Sequence, residues 1–228
     1  MKLTFNLAEQ QASRTVQADI THCIVAGWAG RDMAAIEHHI EELAAIGVPR
    51  PSSVPLYYRI AANQLIQSEQ VQVVGDGSSG EAEVFLFADQ GRTLVSLASD
   101  HTDRKLESHS VALSKQLCVK PVARDAWLYD DVRDHWDELL LRAWIVEDGK
   151  DVLYQEGPLA LLRRPDELVQ GCFQTETIPA GYGMTCGTVA AIGGIRCTST
   201  QFTMELHDPK LGRSIRHTYT TELLPEVA

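Results

Sequence analysis

Glu81 and Glu83 open the run EAEVFLFA, and Asp100 follows one strand later in SDHTDR. Successive side chains on a strand point to opposite faces, so residues 81 and 83 point the same way. Two neighbouring carboxylates repel, and burying them is costly unless a cation or protons compensate. Three carboxylates delivered from adjacent strand ends suit a hard divalent cation. Magnesium and manganese prefer oxygen ligands in octahedral geometry and keep positions open for water or substrate. On spacing alone the alternative is a solvated strand end, the usual setting of Glu-x-Glu, and Asp100 and Asp103 equally suit a turn.

A second source of chemistry is HHIEEL, which offers the pairs His38–Glu41 and His39–Glu42. Residues three apart on a helix are neighbours, so either pair makes a carboxylate-oriented histidine of the kind a general base needs. At about 100° per residue, His38 and Glu41 fall opposite the Ile36/Ile40/Leu43 stripe, whereas His39 and Glu42 flank it. A working dyad faces the protein, which favours His39–Glu42. The competing reading is a charged, solvated helix face. Lys115 in ALSKQLC and Arg104 in HTDRKL are cations able to meet a carboxylate, Arg104 bidentately. Thr188 lies in GTVAAIGG, whose glycines allow backbone amides to approach a ligand or simply pack tightly.

These residues need elements to position them. KLTFNL, HCIVAGWAG, LYYRIA, VQVVG, EAEVFLFA and TLVSLASD read as strands separated by Gly, Asp and Ser turns. RDMAAIEHHIEELAAIG is the clearest helix, capped by Asp32 and ended by Gly47 before Pro49. DRKLESHSVALSKQL reads as a second helix and LLRRPDELVQ as a short one. DDVRDHWDELLLRAWIVED begins helical and turns strand-like, and TQFTMELHDP with SIRHTYTTELL forms a C-terminal hairpin. The pattern is a mixed α+β domain rather than a βαβ alternation. The 228 residues contain no repeat and no dividing linker, so a single domain over residues 1–228 is expected.

Composition narrows the function classes. A net charge of −11 without a basic cluster argues against nucleic acid and against an anionic membrane surface. No apolar run is long enough to span a bilayer, and MKLTFNLAEQ lacks a signal-peptide core. Cys23, Cys118, Cys172, Cys186 and Cys197 are odd in number and form no CxxC pair. They read as reduced thiols of a cytoplasmic protein.

Taken in order, these segments resemble the fumarylacetoacetate hydrolase superfamily. Glu81 and Glu83 match its Glu-x-Glu strand. SDHTDRKLE matches a motif like NDVSARDLQ, with Asp100 at the metal aspartate and Arg104 at its arginine. SKQLCVKPVA matches the lysine motif GKSFDTFAPVGP through Lys115. GYGMTCGTVAAIGG matches the Gly-Thr-Pro loop through Thr188. GRDMAAIEHHIEELAAIGVPRP, with Arg31, is similar to a GRNYxxHxxE segment that carries a His-Glu dyad on a lid. More narrowly, the chain looks like the DUF2848 branch. Cys118 stands where the lysine motif carries Asp, Val189 replaces the proline of Gly-Thr-Pro, and the lid segment is longer than usual.

The resemblance implies a mixed β-roll or β-sandwich core with short surrounding helices, an N-terminal helical lid at about residues 29–50, and a homodimer. It implies Mg²⁺ or Mn²⁺ held by Glu81, Glu83 and Asp100. A small 2-oxo or 1,3-dicarbonyl carboxylic acid would chelate the ion, which as a Lewis acid would stabilise the enolate formed when a C–C bond breaks. His39, oriented by Glu42, would activate the hydrolytic water, with Lys115 catalytic and Arg31, Arg104 and Thr188 contacting substrate. Two alternatives stay open. One is a decarboxylase, isomerase or lactone/amide hydrolase on the same site. The other is a non-catalytic metal or small-acid binding protein.

Overall fold

The computed structural model describes residues 1–9, 12–45, 47–197 and 199–227. Its centre is the hairpin of Ala82–Asp89 and Arg92–Ser99, with Ala82 opposite Ser99 and Asp89 opposite Arg92. The two-residue loop explains that register. Gln90 has φ 50° and Gly91 φ 77°, and a turn with two positive φ values matches the twist of the strands it joins. The register carries Glu81 to a place beside Asp100, where Asp100 N donates to Glu81 O at 2.9 Å.

This hairpin lies in an eight-stranded sheet in the order Ala12–Asp19, Lys2–Glu9, Asp125–Leu128, Arg92–Ser99, Ala82–Asp89, Tyr182–Thr185, His22–Gly27, Leu56–Ile60. A five-stranded sheet runs Lys150–Pro158, Leu140–Glu147, Gln201–Asp208, Arg213–Leu224, Gln70–Val74. The predicted C-terminal hairpin is present. The strands Ala12–Asp19, Asp125–Leu128, Lys150–Pro158 and Tyr182–Thr185 add to those read from the sequence.

Strand alternation divides the core in two. Val84, Leu86, Val95 and Leu97 pack with Leu141, Ile145, Met204 and Leu206 of the second sheet. Phe85, Phe87, Leu94 and Ala98 point the other way, onto Phe5, Leu7, Val16, Cys23 and Val25 of their own sheet. An apolar cluster assembled from strands across one sheet means that the sheet curls around it. The result is a mixed helix-and-strand fold with a rolled sheet, as expected. Glu81, Glu83, Phe85 and Phe87 share a face by alternation, as do Asp100, Ala98 and Leu94. The carboxylates therefore sit at one end of the roll, capping its apolar interior.

The helix Met33–Ala45 forms where its pattern predicts. Asp32 Oδ1 accepts from Ala34 N at 2.9 Å and Ala35 N at 3.1 Å, and Gly47 follows it with φ 95°. Ile36 and Ile40 are buried while the rest of the described surface is open. The Leu43 side chain, the third member of the predicted stripe, lies outside the described residues. The second predicted helix is broken in two, Arg104–Glu107 and Val111–Gln116. Asp103 and Ser110 each cap a separate N-terminus, accepting from Leu106 N at 2.9 Å and Leu113 N at 3.3 Å. This is the behaviour expected of Ser and Asp, which favour caps over helix interiors.

Candidate metal centre

Glu81, Glu83 and Asp100 come together, with one carboxylate oxygen from each lying within 4.8 Å of the others. Asp100 is fully buried and Glu83 nearly so. Three cations close around them. Lys115 Nζ donates to Asp100 Oδ2 at 2.6 Å and to Thr102 Oγ1 at 3.2 Å, and lies 3.5 Å from Glu81. Arg104 Nη2 is 2.8 Å from Glu81 Oε1. The same guanidinium donates to both oxygens of Glu107, at 3.2 and 3.0 Å, and to Ser79 Oγ at 2.8 Å.

The third cation, Lys120, is absent from the sequence reading. Its side chain is wholly buried, 3.0 Å from Asp100 Oδ1. Nζ also donates to the carbonyl oxygens of His101 and Lys115, each at 2.6 Å. The one clue in CVKPVA is a lysine embedded in an apolar run. A buried ammonium needs acceptors on all sides, and two of these come from backbone that only the fold brings near.

The carboxylates respond differently to this surround. Burial pushes the Glu83 carboxyl up, and the Asp100 charge adds to it, to about 8. For Asp100 burial acts upward too, but Lys115 and Lys120 outweigh it and hold the group at about 2. Glu81 is lowered because Arg104 and Lys115 outweigh burial. In return the Lys115 ammonium is raised well above its ordinary value by Asp100, Glu81 and Glu83, despite its burial. Among the described residues, Glu83 is thus the member of the trio with no salt bridge to a cation. Its Oε2 accepts from Gly187 N at 2.9 Å.

This donor set fits a hard divalent cation. The oxygens converge and they are all carboxylate. A cation would offset the burial and the Asp100 repulsion that together raise Glu83.

Thr188 is held at the edge of this group. Its Oγ1 donates to Ala82 O at 2.7 Å and accepts from Gln155 Nε2 at 2.7 Å. The His/Glu residues lie on the helix Met33–Ala45, apart from the carboxylate cluster. His39 Nδ1 is 3.3 Å from Glu42 Oε2 and His38 Nε2 is 3.4 Å from Glu42 Oε1, so both imidazoles share Glu42. All three side chains are well exposed. Two aromatic residues are linked beside this helix: the Trp28 ring lies 5.8 Å from that of His39, and Trp28 Nε1 donates to Tyr58 Oη at 3.2 Å. The Tyr58 hydroxyl is raised by burial, with the nearby Lys115 charge opposing. Trp28 has φ 58°, an uncommon backbone state for a bulky residue. Arg31 spends its two Nη groups on Asp137 at 2.8 and 2.6 Å and its Nε on Leu162 O. This ties the start of the helix to the helical turn Arg133–Glu138 and to Leu162.

A family model described as a protein of unknown function, DUF2848, matches residues 26–219. The chain belongs to the DUF2848 family. Every carboxylate and cation of the centre falls inside the DUF2848 match. No curated protein matches the chain. Among solved structures, Cg1458 with inhibitor shares 14% identity over 94% of this DUF2848 chain and 81% of its own, with a TM-score of 0.64. A 2-keto-3-deoxyarabinonate dehydratase shares 16% over 91% and 76%, with a TM-score of 0.61. The 4-oxalocrotonate decarboxylase from Pseudomonas putida G7, complexed with calcium and acetate, shares 16% over 90% and 78%, with a TM-score of 0.52. These neighbours are members of the fumarylacetoacetate hydrolase superfamily, and at such identity the likeness establishes the fold. Among the described residues no helix is long and apolar enough to cross a membrane.

Proposed function

We propose that this protein is a divalent-cation-dependent enzyme acting on a small 2-oxo or 1,3-dicarbonyl carboxylic acid. The observation that carries the reading is the convergence of Glu81, Glu83 and Asp100 within 4.8 Å at the end of the roll. Support comes from the fold neighbours. One dehydratase structure is complexed with magnesium and 2,5-dioxopentanoate, at 16% identity and a TM-score of 0.60. When bound, Mg²⁺ or Mn²⁺ would supply Lewis acidity to vicinal carboxylate and carbonyl oxygens.

The chain's own residues divide the remaining work. Lys120 is the fixed counter-charge of Asp100. Arg104, committed to Glu81 and Glu107, orients Glu81 rather than gripping a substrate. Arg31, committed to Asp137, anchors the helix that carries the dyad. Lys115 is the cation that meets the substrate's carboxylate or developing oxyanion, because it keeps slight exposure and is held only by the side chains of Asp100, Thr102 and Glu81. His39, oriented by Glu42, takes the proton of the attacking water when the helix closes over the site. The product is a hydrolysed, C–C-cleaved acid. The enzyme works as a single-domain homodimer in the cytoplasm.

A second reading, a lyase, is favoured by one observation: His39 and Glu42 sit on an exposed surface while the carboxylate centre is buried. Decarboxylation or dehydration on that centre needs no attacking water and would dispense with His39. Screening the Mn²⁺-loaded protein against 2-oxo acids, acylpyruvates, lactones and cyclic amides tests both. Turnover of an acylpyruvate to two acids supports the hydrolase, and release of carbon dioxide or water from a 2-oxo acid supports the lyase. Metal binding with no turnover across the panel removes both and leaves a binding protein.

A further inference from the structure

Ala82 lies between the two glutamates of the centre, and both polar groups of its backbone are held by residues from elsewhere. Its N–H donates to Gln155 Oε1 at 3.0 Å, and its carbonyl accepts from Thr188 Oγ1 at 2.7 Å. Gln155 closes the circuit, donating from Nε2 to Thr188 Oγ1 and to Val189 O, each at 2.7 Å. The amide orientation is set by its partners: the Ala82 N–H demands an oxygen and the Val189 carbonyl demands an N–H. Gln155 belongs to the strand Lys150–Pro158 of the second sheet and is 1% exposed. The loop it holds also supplies Gly187 N to Glu83.

We infer that Gln155 and Thr188 are positioning residues that clamp the peptide between Glu81 and Glu83, so that the second sheet sets the spacing of the two glutamates. The Thr188 hydroxyl has one proton, and it is spent on Ala82 O. Its role is to hold the strand, not to donate to a substrate. Buried side chains whose hydrogen bonds are all satisfied rigidify what they touch. Groups one shell behind metal ligands typically change affinity by about 10–100-fold when removed.

This inference rests on the reading that Glu81, Glu83 and Asp100 hold a cation, so its test keeps the two apart. Mn²⁺ is titrated calorimetrically into the metal-free parent, Glu83→Gln, Thr188→Val, Thr188→Ser and Gln155→Leu, and the unfolding midpoint of each is measured alongside. The expected result is that the parent binds, Glu83→Gln loses binding, Thr188→Val and Gln155→Leu weaken by about 10-fold or more, and Thr188→Ser stays within about 3-fold of the parent. If Gln155→Leu does not fold, the Thr188 pair decides alone. A folded Thr188→Val that binds like the parent, or a Thr188→Ser as weak as Thr188→Val, overturns the clamp while leaving the metal reading in place. A parent that takes up no Mn²⁺ overturns both.

Discussion

Lys120 Nζ lies 3.0 Å from Asp100 Oδ1, and neither side chain has any exposed surface. The ammonium cannot leave without stranding a buried carboxylate and two carbonyl acceptors. Lys115 on the other oxygen is, by contrast, anchored only by side chains. The pair thus makes Asp100 a pre-formed acceptor whose charge does not depend on a bound ion.

Lys120→Met is therefore expected to destabilise the protein by about 3–5 kcal/mol, the usual cost of breaking a buried ion pair from one side. Denaturant unfolding in a chelator measures this. A loss no larger than that of an exposed lysine would show that Asp100 relaxes toward another partner.

Glu83 should impose a pH dependence on the metal-free protein. Its ordinary value is 4.5, and in the fold burial and Asp100 raise it to about 8. Between those values the folded state holds a proton that the unfolded state has lost. The stabilisation from Glu83 is therefore full below about 4.5 and disappears as pH rises through about 8. Asp100 behaves oppositely: its contribution is complete above 3.8 and is lost as pH falls toward about 2. Unfolding free energy followed from about pH 5 to about pH 8 should decline in the parent and be flatter in Glu83→Gln. Identical slopes would contradict the assignment. Mn²⁺ uptake should tighten over the same range, since the proton must leave before Glu83 can ligate.

Much of this centre was legible in one dimension, and the reason is hairpin arithmetic. Glu81 and Glu83 share a face by alternation, and the tight Gln90–Gly91 turn returns the chain so that Asp100 arrives beside Glu81. The Asp32 cap and the Gly47 stop of the first long helix are local signals and were equally readable. Lys120 and Gln155 were not. Each is defined by partners in other segments, His101 and Lys115 for the first, Ala82 and Val189 for the second, and a pattern within either one's own strand does not encode them. The break between Arg104–Glu107 and Val111–Gln116 was hidden because the leucine spacing continues across it, while Ser110 starts a new helix instead.

The dyad separates hydrolase from lyase. His39→Ala should lower hydrolysis by on the order of 100-fold, a typical general-base contribution, and leave Mn²⁺ binding intact. Glu42→Gln should resemble it less severely. His38→Ala should be mild, although His38 also reaches Glu42. Full activity of His39→Ala, with carbon dioxide or water as a product, would transfer the chemistry to the buried centre.

The helix Met33–Ala45 buries Ile36 and Ile40 and leaves most of its described surface open. Few buried contacts make an element easy to open, and a lid must open to admit substrate. Amide hydrogen exchange over residues 33–45 should be faster than in Ala82–Asp89 without ligand and should slow when a 2-oxo acid and Mn²⁺ are added. Exchange as slow as that of the central strands in both states would remove the lid.

The central claim is that Glu81, Glu83 and Asp100 form one cation site. Electron paramagnetic resonance of Mn²⁺ mixed with metal-free protein counts bound ions directly. The account predicts one bound ion per chain in the parent and none in Glu83→Gln or Asp100→Asn at the same concentrations, with all three proteins folded. Equal Mn²⁺ uptake by the parent and by folded Glu83→Gln would contradict it.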